Sequence, residues 1–175
     1  MPTTRPISYA VLRGQVIESD LIEFGGRGGD ITFLAPDPIK IASKIPLASP
    51  RLMEDLYSIS FEQILDYLGE LGPRLVLKDN PYLQEALEYS YATAPTTKSI
   101  MDRAYQDMPF MFDKDRIRKM VDFNIGIDHL EGWVEQELNG SRVGIRAYGA
   151  RQLHIVAGNG PAMGALTIIR GAVTR

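Results

Sequence analysis

The sequence predicts a helix-rich α/β protein, on three observations. The first 36 residues carry short β-branched and aromatic runs broken by glycine. Residues 37–140 repeat the spacing of amphipathic helices. Residues 153–175, LHIVAGNGPAMGALTIIRGAVTR, pass from a strand-like run through a small-residue turn into a helical pattern. These observations divide the chain into a strand and turn arm (1–36), a helical region (37–140) and the start of an α/β unit (141–175).

In the arm, ISYAVL (7–12) and ITFLA (31–35) read as strands. FGGRGGD (24–30) resembles a phosphate loop only superficially. It precedes a strand instead of a helix and lacks the GK[ST] ending, so it is expected to be a flexible hairpin connection.

The helical region opens with SFEQILDYLGEL. Ser60 and Gln63 form a capping box, Phe61, Ile64, Leu65, Leu68 and Leu71 share one face, and Gly72-Pro73 is expected to stop the helix. The next helix takes Asn80 as its cap and Pro81 at its first position, with Leu83, Ala86 and Leu87 facing inward. Two more are expected over 96–107 and 113–122, separated by the apolar break MPFMF, with DKDRIRK a solvated face. Leu130, Trp133, Val134 and Leu138 fit a helix ending at Asn139-Gly140, with Trp133 in the core or an interface. VGIRAY (143–148) alternates like a strand and LHIV (153–156) reads as a short buried one. The helix over 161–171 leaves almost no polar face and is expected to be buried on nearly all sides, against the helical region or a second copy of the chain.

Composition limits the chemistry. A net charge of -3 with interspersed signs supplies no broad basic surface for nucleic acid. No apolar run is long enough to span a membrane and no signal core opens the chain, so a cytoplasmic location is expected. Cysteine is absent and only His129 and His154 are present, which leaves no thiolate nucleophile and no expected metal site. His154, alternating within an apolar run, is expected to be a hydrogen-bonded core residue.

Strand, glycine turn and helix N-terminus in that order form the first step of a nucleotide-binding α/β unit, in which free N–H groups and the helix dipole face the ligand. Asn159 then stands at the site-facing end, where its NH₂ can donate to an oxygen. Two plainer roles remain open for it, a helix cap or a left-handed turn residue. Gly158 and Gly160 are either ordinary turn glycines or places where a ligand approaches the backbone.

LHIVAGNGP followed by ALTIIRGAVT resembles the acyl-CoA reductases of the bacterial luminescence and fatty-aldehyde systems, a branch of the aldehyde dehydrogenase superfamily. The likeness extends more weakly through RAYGARQ (146–152) to residue 38. It implies that residues 141–175 begin an incomplete aldehyde-dehydrogenase-like dinucleotide-binding domain, and that the chain is the amino-terminal part of a longer reductase. It also implies an acyl-CoA or other acyl thioester as substrate and NADP(H) or NAD(H) as cofactor. In that frame Asn159 is the catalytic amide, while Val156, Ala157, Gly158, Gly160 and Pro161 lie beside the nicotinamide. Gly160 departs from the pattern, since the family usually has a larger apolar residue there. The rival expectation is a non-catalytic helical interaction or assembly module, and a small-molecule regulatory binder is a third.

Overall fold

The computed structural model describes residues 6–25, 28, 31–46, 49–150 and 152–175. It is a mixed α/β chain that falls into two compact units, Met1–Glu54 and Asp55–Arg175.

The smaller unit is built from hairpins. Strands β1 (Ala10–Leu12) and β2 (Gln15–Ile17) pair antiparallel across Arg13-Gly14, both at positive φ (52° and 77°), the backbone that a two-residue hairpin turn matching strand twist requires. Strands β3 (Leu21–Gly25) and β4 (Thr32–Pro36) pair antiparallel, with Phe24 opposite Phe33 and their rings stacked at 5.5 Å. Phe24 and Gly25 of FGGRGGD belong to β3, while Gly26, Arg27, Gly29 and Asp30, on which the expected connection falls, lie outside the described residues. Helix α1 (Pro38–Ala42) follows, capped by Asp37, and Lys40 pairs with Asp20. Among the described side chains of this unit, only Pro36 is buried.

The larger unit has its own core. After a short α2 (Glu54–Ser58), helix α3 (Phe61–Arg74) opens with the expected capping box and buries Phe61, Leu65 and Leu68, with Ile64 and Leu71 half-buried beside them. It does not stop at Gly72-Pro73. Proline costs one intrahelical bond without forbidding helical φ, so the helix runs on to Arg74 and is closed by Leu75, whose N–H reaches the Gly72 carbonyl. Gly72 also packs closely on the 3₁₀ turn, because a Cβ there would stand 3.2 Å from that of Phe112.

Helix α4 (Pro81–Thr93) has the predicted Asn80 cap, and α5 (Lys98–Gln106) packs on it through Leu87, Met101 and Tyr105. MPFMF forms a 3₁₀ turn that buries Met108 and Phe112. Helix α6 (Lys114–Asn124) buries Ile117 and Val121, while its charged face pairs back onto α3 through Lys114–Asp66 and the two-pronged Arg118–Glu62 contact at 2.5 and 2.6 Å. That contact holds the Glu62 carboxyl below its ordinary pKa, chiefly by hydrogen bonding to Arg118. The stabilisation is present above the ordinary carboxylate range and is lost as pH falls through the lowered value.

The expected helix to Asn139-Gly140 is not formed. Helix α7 is only Ile127–Glu131, followed by a hairpin of β5 (Val134–Leu138) and β6 (Ser141–Ile145). Asn139 (φ 52°) and Gly140 (φ 78°) form its two-residue turn, the backbone for which Asn-Gly is favoured, so the dipeptide closes a hairpin rather than a helix. Trp133 is 65% exposed and not a core residue.

Helix α8 (Ala162–Thr174) ends the unit. It buries one narrow stripe, Ala165, Ile169 and Val173, against α3, α6 and the 3₁₀ turn, while Met163 and Ile168 are exposed. The expectation of burial on nearly all sides is therefore corrected, because the helix meets neighbours on one face only. Glu131 joins its end to the rest: the carboxylate accepts the Phe61 N–H at 2.8 Å and the buried guanidinium of Arg175.

Leu68→Ala should lower unfolding free energy by about 3–4 kcal/mol, as a fully buried leucine leaves a cavity. Glu131→Ala should cost about 2 kcal/mol, reduced from the fully buried case because Glu131 is partly exposed. Urea titrations followed by far-UV circular dichroism measure both.

Candidate functional site

The segment between β6 and α8 contains every site residue predicted from the sequence. Residues 152–157 have no regular secondary structure, Gly158 and Asn159 turn, and Pro161 stands at the head of α8.

LHIV is neither buried nor part of a sheet. Leu153 and Ile155 are 86% and 92% exposed, and no backbone–backbone hydrogen bond among the described residues involves 152–160. A strand needs a neighbour, and the nearby β5 and β6 pair only with each other. The segment is held instead by side chains: the Gln152 Nε2 donates to Thr174 Oγ1 of α8 at 3.2 Å, and Gln152 Oε1 lies 2.8 Å from His154 Nε2. His154 is thus an exposed hydrogen-bonded residue, not a core one. Nothing in the spacing of the sequence signalled the Gln152–Thr174 tether.

Beside the segment, a cavity of about 340 Å³ opens between α6 and α8. Met120, Val121, Ile125 and Val173 supply apolar walls, and Arg170 is the cation at its edge.

The turn has an unusual set of unused groups. Asn159 is exposed and makes no hydrogen bond with any described residue. It is not the cap of α8, since Pro161 occupies that position in helical conformation (φ -76°, ψ -24°) and no side chain caps the helix. It is not in the left-handed region either, nor are Gly158 and Gly160. A Cβ at either glycine would meet no atom within 4 Å, so internal crowding does not require glycine at these positions. Helices α3, α4 and α6 each have a side-chain cap, from Ser60, Asn80 and Asp113, whereas α5 and α7, like α8, have none. The first N–H groups of α8 thus stand uncapped beside a free amide, with the positive end of the helix dipole behind them.

Val156, Ala157, Gly158 and Asn159 are exposed, while Gly160 and Pro161 are half-buried. Among the described residues no group of His, Cys, Asp and Glu could hold a metal ion, and no helix is long and apolar enough to cross a membrane. No family model matches the chain, and no curated protein or solved structure matches it.

Asn159→Ala should leave the unfolding free energy of the chain within about 0.5 kcal/mol of the parent, whereas Asn80→Ala, which removes a formed cap, should cost about 1 kcal/mol. Parallel urea titrations of the two variants make the comparison.

Proposed function

We propose that the chain is the amino-terminal part of an NADP(H)- or NAD(H)-dependent acyl-CoA reductase that converts an acyl thioester to an aldehyde. Its segment 152–161 would be the first strand and turn of the cofactor domain. The observation that carries this reading is the turn at Gly158–Gly160. Its amide has no partner among the described residues, internal crowding does not require its glycines, and the helix behind it has no side-chain cap, which leaves these groups available to a ligand. The exposed apolar run 153–156 supports the same reading, since a parallel strand of an α/β sheet is apolar on both faces and open to neighbours on both edges.

In this proposal the nucleophilic cysteine and the second strand of the cofactor domain belong to sequence following Arg175. The chain's own contribution is electrostatic. When a thiolate attacks the thioester carbonyl, negative charge grows on the oxygen, and the NH₂ of Asn159, which has no partner among the described residues, would donate to it. The α8 dipole favours the same charge. Bound nicotinamide would supply a hydride; Val156, Ala157, Gly158, Gly160 and Pro161 would line it, with Gly158 letting the ring approach the backbone. The walls of Met120, Val121, Ile125 and Val173 offer an apolar surface near this segment.

In the intact enzyme, Asn159→Ala should lower the rate of aldehyde formation by about 10²–10³ while leaving nucleotide affinity and melting temperature nearly unchanged. Gly160→Val has room for its side chain and should retain turnover. Nicotinamide absorbance with an acyl-CoA substrate reads both, and preserved turnover in Asn159→Ala would remove the amide from the mechanism.

A further inference from the structure

The same turn has a reactivity that does not depend on any ligand. Asn159 is followed by Gly160, and the two meet the requirements for intramolecular attack of a backbone nitrogen on a side-chain amide. The Asn159 carboxamide is exposed and has no hydrogen-bond partner among the described residues, so it can rotate toward the Gly160 nitrogen. Glycine at position 160 presents no side chain to block the approach of its backbone nitrogen. Neither residue belongs to a strand or helix that would lock its dihedrals.

The other asparagines of the sequence lack one or more of these conditions. Asn80 precedes Pro81, which has no N–H, and its amide is engaged with the Leu83 N–H and the Arg74 carbonyl. Asn124 lies at the end of α6, donates to the Met120 carbonyl at 2.6 Å and precedes β-branched Ile125. Asn139 precedes Gly140 and is exposed, but both are fixed at positive φ in a turn clamped by the adjacent Leu138–Ser141 pair.

We propose that Asn159 is a site of spontaneous deamidation, a slow self-modification that converts its amide to a carboxylate. The Gly160 nitrogen loses its proton and bonds to Asn159 Cγ, ammonia leaves with a proton, and a cyclic succinimide results. Water then opens either carbonyl, giving aspartate or, with the backbone rerouted through the side chain, isoaspartate. No oxidant or cofactor is consumed. Each product replaces a neutral donor with an anion that only accepts. On the reductase reading, which this consequence alone rests on, the modified turn repels the developing oxyanion instead of stabilising it.

The test is to age the purified chain in mildly alkaline buffer and follow each asparagine by peptide mapping, scoring the mass gain of about one dalton and isoaspartyl methyltransferase labelling. Asn159 should convert before Asn139, with Asn80 and Asn124 unchanged. Gly160→Val should slow conversion at Asn159 by about 10-fold or more, as a branched Cβ crowds the approach. Adding urea should accelerate Asn139 by releasing its clamped turn and leave Asn159 nearly unaffected. Conversion of Asn139 first, an Asn159 rate that rises steeply on unfolding, or indifference to Gly160→Val would each overturn the proposal. A separate arm ages the intact enzyme: activity that falls in step with Asn159 conversion supports the consequence. Conversion with full activity retained would leave deamidation standing and overturn the oxyanion role of Asn159.

Discussion

One carboxylate ties together the two ends of the larger unit. Glu131, at the close of α7, accepts both the first N–H of α3 and the guanidinium of Arg175 beyond α8. Helix α3 provides the central stripe of the core, so fixing its first residue to α7 and to the end of α8 sets where the hairpin β5–β6 departs and where α8 must lie. The Arg175 side chain is buried, and its only ion pair among the described residues is with this carboxylate. Removing it would leave a desolvated cation without compensation, which is why the contact is a constraint and not an ornament of the surface.

Against that fixed frame, the segment between β6 and α8 is left open. The larger unit satisfies its helix ends with side chains at Ser60, Asn80 and Asp113, yet presents an uncapped α8, an unpaired backbone and uncovered leucine and isoleucine in one stretch. Helices α5 and α7 also lack a side-chain cap; what sets this stretch apart is that the missing cap, the unpaired backbone and the exposed apolar side chains coincide. The smaller unit differs: it has correct turns and cross-strand pairs but almost no buried side chain among its described residues.

Elements decided within one turn of chain were legible in the sequence. Ser60 with Gln63, and Asn80 with Pro81, announce helix starts because the bonds they make are local. The apolar spacing of Trp133–Leu138 fits a helix as well as a strand; Asn139-Gly140 is the signal that separates them, and it favours the hairpin. Burial of Leu153 and Ile155 was inferred from their apolarity, but burial depends on a covering partner, which no residue of the segment encodes. For Asn159 the sequence located the turn and left cap, left-handed residue and free donor as alternatives. Only the conformation of Pro161 and the backbone of the turn exclude the first two.

The position of Trp133 determines what light can report about this protein. It is the only tryptophan in the sequence, and its indole sits largely in water with Tyr148 edge-on at 6.3 Å. Its emission is therefore that of a hydrated ring. It is sensitive to whatever docks on the hairpin and nearly blind to loosening of the helices around Leu68. A fluorescence trace from this chain is a record of contact at one surface, and a flat trace is no sign that the interior has held.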